Sequence, residues 1–261
     1  GCSSINGMIY MRGQARDYDQ WRQLGCDGWG WDDILPYFLK SEDFYRGKSD
    51  LHATGGEWRV EKARVRWAVL DAFQQAAQEA GIPATDDFNK GDNEGAGYFD
   101  VNQRAGWRWN TAKAFLRPAK NRANLTVLTK AHAKRLIIED DAVKGVEFLH
   151  DGILKTARAR KETVLSAGAI GSPQLLELSG VGRGDVLQKA GIDVRHEVAG
   201  VGENLQDHLQ LRMIYKVSGV PTLNEQASTL FGKAKIGLEY ALKRSGPMSM
   251  APSQLGVFTR S

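Results

Sequence analysis

The 261-residue sequence is poor in the features that mark several large classes of protein. It has two cysteines, Cys2 and Cys26, too few for a disulfide framework and without the paired spacing of a structural zinc site. So few suit a reducing compartment, which points to the cytoplasm. No apolar run approaches the roughly 20 residues needed to cross a bilayer. No basic stretch followed by an apolar one opens the sequence, so no signal peptide is visible. The five histidines, His52, His132, His150, His196 and His208, form no H-x-x-x-H pattern, and no metal is expected. Charge of one sign is never gathered into a block. The 35 basic and 31 acidic residues leave a net charge of +4, with signs interspersed as in Arg158-Ala-Arg160-Lys161-Glu162. A nucleic-acid binder would collect its basic residues on one face, so no nucleic-acid partner is expected. Internal repeats and low-complexity tracts are also missing.

What is present is ordinary for a globular protein: 42% hydrophobic and 25% charged residues. The length allows one large core or two smaller ones. Residues 14–50 are rich in aromatics around a loop, Gly25-Cys-Asp-Gly-Trp-Gly30. A helix is expected next, with Asp33 as N-cap and Pro36 at N3. A short strand follows at Glu57–Val60. Val69, Leu70, Phe73, Ala76, Ala77 and Ala80 share one face of a helix over 69–80, which Gly81 ends and Pro83 keeps ended. Residues 84–97 read as a polar loop, and Thr111–Ala119 as a short helix. From Leu125 the period drops to about 2. Strands are expected at Leu125–Thr129, Ala133–Glu139, Ala142–Leu149, Ile153–Ala157 and Glu162–Ser166, with turns at Asp140-Asp141 and Asp151-Gly152. Later elements are a helix over 184–190, a strand at Asp193–Val198, a Gly-rich loop over 199–208, a helix near 227–244 and a Gly246-Pro247 turn.

Two stretches could carry chemistry. Gly168-Ala-Ile-Gly-Ser-Pro-Gln-Leu-Leu-Glu-Leu-Ser-Gly-Val-Gly182 follows the apolar run Thr163-Val-Leu165. Ser172 as N-cap and Pro173 at N1 would start a helix there. A strand feeding a helix N-terminus offers N–H groups and a positive dipole to a phosphate-bearing ligand. The same glycines would also serve plain strand–helix packing. The second stretch is the opening, Gly1-Cys-Ser-Ser-Ile-Asn-Gly-Met-Ile-Tyr-Met-Arg-Gly13, whose small side chains let backbone approach a ligand. His208 beside Asp207 has the makings of a general base, but a structural histidine that pins its loop is the plainer reading. The Trp-rich stretch 21–31 reads as core and lid packing, with a cation–π cage for a quaternary ammonium as the sharper alternative.

Together these stretches resemble the glucose–methanol–choline (GMC) oxidoreductases, flavoproteins that oxidise alcohols. The Gly168–Gly182 pattern matches one family signature at every fixed position, and Gly1 through Asp19 match a second, one upstream glycine aside. Asn110–Pro118, Asn124–Thr129, His132-Ala133 and Gly200–His208 fit the same family. Gly7–Gly13 and Asp27–Asp32 lean toward its choline dehydrogenase-like branch. The resemblance implies an α/β fold: an FAD-binding, Rossmann-like domain of GMC type, incomplete, with an inserted antiparallel β-meander and the start of an α+β substrate domain. It divides the chain into FAD-domain and lid residues 1–55, a substrate-side insertion 56–119, FAD-domain residues with the meander 120–206, and the start of the substrate domain 207–261. It places Gly1, Cys2, Ser3, Ser4, Asn6, Gly7 and Met8 against the flavin ring and pyrophosphate. Ala133 would meet the adenine, and Ser166, Ala167 and Gly168 are the further cofactor-facing residues. Some relatives bind the flavin covalently through a histidine at the position of Ile5, so FAD is expected here without a covalent bond.

A complete member begins with a strand, Gly-x-Gly-x-x-Gly and a helix, and ends with a catalytic histidine. Neither is in this sequence, so the resemblance implies an internal piece, inactive and aggregation-prone alone, with its catalytic histidine elsewhere. The implied activity of the whole is FAD-dependent oxidation of a choline-like or other primary alcohol to the aldehyde. A quinone is the expected electron acceptor, with oxygen, as in an oxidase, left open. Peripheral attachment at the inner membrane is left open too. The contrasting expectation is a catalytically inactive nucleotide-binding or interaction fragment.

Overall fold

A tight turn, the 3₁₀ helix Cys2–Ser4, opens the computed structural model, which describes residues 1–260. The chain divides into two units, Gly1–Leu125 with Tyr215–Ser261, and Thr126–Ile214. The first unit begins with a helix that the sequence pattern did not single out, α1 (Ala15–Gln23). Its start is fixed by Asp17, which accepts the Gln14 N–H at 2.7 Å. Helix α2 (Trp31–Ser41) begins earlier than expected. Gly30 is its N-cap, and Asp33 is the N3 residue that accepts the Gly30 N–H at 3.1 Å. Pro36 therefore lies inside the helix, where it has no N–H to offer the Asp32 carbonyl.

Strand β1 (Glu42–Phe44) pairs in parallel with β2 (Trp58–Lys62). Helix α3 (Ala68–Glu79) forms over the expected span, but of its expected apolar face only Ala77 is buried, and Phe73 is 57% exposed. Gly81 stands just past its end at φ +89°, a left-handed conformation suited to glycine, and its N–H returns to the Gln78 carbonyl. Residues 84–97 differ from expectation. Thr85, Asp87, Phe88 and Asn89 are buried, and the segment ends in a strand, β3 (Gly95–Tyr98). The side chains of Thr85, Asp87 and Asn89 are spent inside the unit on hydrogen bonds rather than on water. Strand β4 (Asp100–Val101) pairs with β2, and β5 (Gln103–Arg104) forms a hairpin with β6 (Trp107–Arg108). The expected Thr111–Ala119 helix is a wide π turn, Ala112–Leu116, running into α4 (Arg117–Ala119).

The second unit is built on an antiparallel meander of three strands, β7 (Ala131–Glu139), β8 (Ala142–His150) and β9 (Ile153–Arg158). Both expected turns are present. Asp140, Asp141, Asp151 and Gly152 all take positive φ, the geometry of two-residue hairpins. Leu125–Thr129 and Glu162–Ser166 do not join a ladder among the described residues. Thr163-Val-Leu165 has the apolar run of a buried parallel strand, yet Val164 is 79% exposed. Parallel strands pair through crossovers rather than hairpins, and no partner for this one lies among the described residues.

Helix α5 (Gly168–Glu177) starts at Gly168, not at Pro173. Its N-cap is Ala167, whose N–H donates to Ser172 Oγ at 3.0 Å, so the serine caps the helix from inside its first turns. Strand β10 (Val181–Gly182), helix α6 (Gly184–Lys189) and strand β11 (His196–Glu197) complete the unit. The expected Asp193–Val198 strand is reduced to β11, because β10 offers only two residues for it to pair with. Residues 199–208 form a loop, as expected.

The chain then returns to the first unit. Helix α7 (Leu223–Gln226) is capped reciprocally by Thr222 and Glu225, and α8 (Leu230–Lys243) by Thr229. Strand β12 (Leu255–Phe258) pairs antiparallel with β3. Met8, Val101 and Ala251 form a buried apolar cluster of this unit, and Phe258 packs edge to face on Phe88 and Phe99, which are tilted against each other.

Candidate functional site

The opening turn is presented rather than buried. Ile5 is 86% exposed, and a Cβ added at Gly1 would meet nothing within 4 Å. The turn closes through Ser4 N–H to the Gly1 carbonyl at 3.1 Å and Ile5 N–H to the Cys2 carbonyl at 2.9 Å. As the first groups of the turn, the Cys2 and Ser3 N–H have no intrahelical acceptor. The hydroxyls beside them are held from behind. Ser3 Oγ lies 2.9 Å from Thr111 Oγ1 and accepts the Thr111 N–H at 3.2 Å. Ser4 Oγ accepts from Asn110 Nδ2 at 3.1 Å. Arg108 donates to the Ser3 carbonyl at 3.3 Å and to Asn6 Oδ1 at 2.9 Å, while Asn6 Oδ1 also accepts the Met8 N–H at 3.1 Å. Asn110 and Thr111 thus hold the turn that the sequence singled out, a role their spacing of more than 100 residues concealed. Gly7 leaves ordinary van der Waals space to Pro252. Met8 differs from its neighbours: its side chain is in the core and its backbone takes φ 61°, so only its backbone is left to face a ligand.

In the second unit Ala133 is exposed on β7, paired with Phe148, and a bulge follows it before Arg135. Bulges re-aim the backbone beside functional sites. Ser166, Ala167 and Gly168 are all exposed at the start of α5. Gly168 has φ +88° and open space where a side chain would stand, leaving the first N–H groups of the helix uncovered.

Charged residues that the sequence did not bring together are buried as a group in the first unit. Arg12 forms an ion pair with Glu42 at 2.7 Å, and Glu42 and Asp87 flank the two ring nitrogens of His52 at 3.0 Å each. His52, which had no partner by spacing, has two in space. Its burial works against the charged ring, but hydrogen bonds to Asp87 and Glu42 outweigh that and raise its pKa to about 9. Burial raises Glu42 and Asp87 as well, and their hydrogen bonds to His52 reverse the sign and hold both below their ordinary values. Next to them Arg46 bridges Asp86 and Asp100. Burial of Asp100 outweighs that ion pair and lifts its carboxyl to about 6.

The other sequence candidates are plainer. His208 is exposed, and its backbone N–H donates to Asp207 Oδ1 at 2.8 Å, a bond in which the imidazole takes no part. Tyr18, Trp29, Ile34, Tyr37 and Phe38 line an open cavity of about 640 Å³ in which no carboxylate takes part. Cys2 and Cys26 are free and exposed. Among the described residues no three or more His, Cys, Asp or Glu side chains come together as a metal site would need.

Comparison with known proteins agrees over the whole chain. The family model for GMC oxidoreductase matches residues 1–210. Human mitochondrial choline dehydrogenase is 40% identical over 261 residues, all of this chain and 44% of its own length. The oxygen-dependent choline dehydrogenase of Brucella suis is 38% identical over all of this chain and 47% of its own. Among solved structures, a fungal aryl-alcohol oxidase superposes with a TM-score of 0.86 at 26% identity, over 99% of this chain and 48% of that one. The chain spans less than half the length of the curated relatives it matches.

Proposed function

The chain belongs to the GMC oxidoreductase family, and from that premise we propose that it forms part of an FAD-dependent enzyme that oxidises an alcohol to the aldehyde. The fold is the α/β fold of the family's FAD-binding domain in part, covering about half of the neighbouring structures. The observation that carries the proposal is the Cys2–Ser4 turn. Its small side chains, open space at Gly1 and two uncommitted N–H groups suit the flat, acceptor-rich edge of a flavin. Gly1, Cys2, Ser3, Ser4, Asn6 and Gly7, with the backbone of Met8, would hold the ring, and Asn110, Thr111 and Arg108 fix the turn. In the second unit the backbone of Ala133 would meet the adenine, and Ser166, Ala167 and Gly168 would hold the rest of the cofactor through the start of α5. Bound FAD supplies the acceptor for the hydride that leaves the alcohol carbon. The catalytic histidine is assigned to sequence outside this chain. The assignment of 1–55 and 120–206 to the FAD domain, 56–119 to a substrate-side insertion and 207–261 to the substrate domain belongs to the same proposal.

Ile5 has no ring nitrogen with which to bond a flavin, which supports non-covalent FAD. The names of the choline dehydrogenases support a choline-like alcohol. A quinone is the proposed acceptor, and the oxygen-dependent relative favours oxygen as the second reading. No helix among the described residues is long and apolar enough to cross a membrane. The two free cysteines support the cytoplasm, with attachment at the inner membrane a matter for fractionation.

The test is made on the full-length protein that carries this chain, loaded with FAD and freed of oxygen. Choline, or failing that benzyl alcohol, should bleach the flavin band near roughly 450 nm. A bound flavin that neither alcohol reduces contradicts the proposal. Acid precipitation should leave the flavin in solution, and yellow colour in the pellet would overturn the non-covalent assignment.

A further inference from the structure

The segment that presents the opening turn is anchored at its far end by buried charges for which alcohol oxidation has no task. Arg12, four residues beyond Met8, has a side chain only 2% exposed. Its guanidinium donates to Glu42 Oε1 at 2.7 Å, to the Leu51 carbonyl at 2.6 Å and to the Tyr10 hydroxyl at 3.1 Å. Its N–H donates to Asn89 Oδ1 at 2.8 Å, and Asn89 Nδ2 reaches back to the Tyr10 carbonyl at 3.1 Å. Asn89 in turn donates its N–H to Asp87 Oδ1 at 2.7 Å. The chain from Tyr10 to Arg12 is thus tied to Glu42 and Asp87 by side chain and backbone together.

His52 joins those two carboxylates. Nδ1 lies 3.0 Å from Glu42 Oε1, Nε2 lies 3.0 Å from Asp87 Oδ2, and the ring stacks on Phe44 at 3.9 Å. A neutral imidazole has one N–H. With a carboxylate at each nitrogen, a neutral ring would aim a lone pair at one of them, whereas the imidazolium donates to both. Charge leads to the same conclusion. Arg12 and protonated His52 balance Glu42 and Asp87, and without that proton one buried negative charge is left uncompensated, which a low-dielectric interior penalises. The other charged or titratable groups facing the cluster are Tyr10 beside Arg12, and Arg46, which acts on Asp87 and is itself paired with Asp86 and Asp100.

We propose that protonated His52 is a positioning residue: it locks Arg12 in place and, through Arg12, holds the Gly1–Met8 segment where it meets the flavin, releasing that segment when its proton is lost. The inference rests on the flavin-facing reading of Gly1–Met8. The range over which release occurs follows from the ordinary histidine value of 6.5 and the folded value of about 9. Between them the closed form keeps a proton that the released form gives up, so release grows by up to about tenfold per pH unit.

Trypsin reads this release without needing flavin or turnover, because Arg12 can be cut only when it leaves the cluster. In the full-length protein, cleavage after Arg12 is measured against cleavage after Arg160, an exposed loop residue that corrects for the protease's own pH response. FAD retained after desalting is read on the same samples. The ratio should climb from pH 6.5 to pH 9 by up to about tenfold per unit, and retained FAD should fall over the same range. His52→Gln should cut readily at every pH. His52→Gln with Asp87→Asn removes one charge of each sign and should restore a slow, pH-independent ratio and FAD retention. Simple loss of two hydrogen bonds would make that double variant worse than either single one. A wild-type ratio flat with pH overturns the inference even if no variant folds, and so does a double variant that keeps the wild-type pH profile. FAD held equally at both ends of the range while Arg12 is released overturns the link to the flavin. A rising ratio in a protein that takes up no FAD supports the anchor and removes the flavoenzyme reading instead.

Discussion

At the scale of single residues, buried charge governs this molecule's response to pH. His52 has a folded pKa of about 9 against 6.5 ordinarily, so its contribution to stability is complete below pH 6.5 and is lost as pH rises to about 9. Glu42 and Asp87 are shifted the other way, so theirs is present above the ordinary carboxylate range and lost as pH falls through their lowered values. Thermal melts should therefore show the first unit losing stability from pH 6.5 to 9, and His52→Gln should flatten that slope while lowering stability at pH 6. An unchanged slope in the variant would contradict the assignment. None of this was legible in the sequence. His52 lies 10 positions from Glu42 and 35 from Asp87, and no local pattern links residues that only the fold brings together. Met8 shows a similar limit: the motif placed it with its neighbours, but a positive φ turns its side chain into the core.

At the scale of elements, local chemistry was readable wherever a single residue decides the backbone. Gly81 ended α3 and the Asp-rich turns closed the meander as their conformational preferences required. Gly81→Ala should cost about 1–2 kcal/mol by forcing a side chain into the left-handed region, measured as a shift in urea midpoint. No loss of stability would mean that the cap is not fixed by that residue. Helix starts were less legible because two caps act from within the helix: Asp33 and Ser172 reach back to the residue before it, so the sequence pointed a few residues too far along. The apolar run Thr163-Val-Leu165 was read by hydrophobicity alone, and pairing, which makes a strand, depends on partners far away. In the second unit Leu187 is 1% exposed, and Leu187→Ala should destabilise that unit by about 2–5 kcal/mol. A change below about 1 kcal/mol would show that α6 is not part of its core.

At the scale of the whole molecule, the family was legible because its two signatures are long and fall on backbone that must stay open: a turn of small residues and a glycine-led helix start. The cradle that holds the turn, Asn110 and Thr111, lies on a stretch the same resemblance had marked without giving it a task. If the opening turn faces the flavin, Cys2, free and exposed within it, reports on that directly. Its alkylation rate should be measured in the full-length protein with and without bound FAD, with Cys26, also free and exposed, as the internal control. FAD should slow modification of Cys2 by about tenfold or more, as a site open only a tenth of the time requires, and leave Cys26 unchanged. Equal rates at Cys2 with and without FAD, in a sample whose spectrum shows the flavin bound, would contradict that placement of the turn.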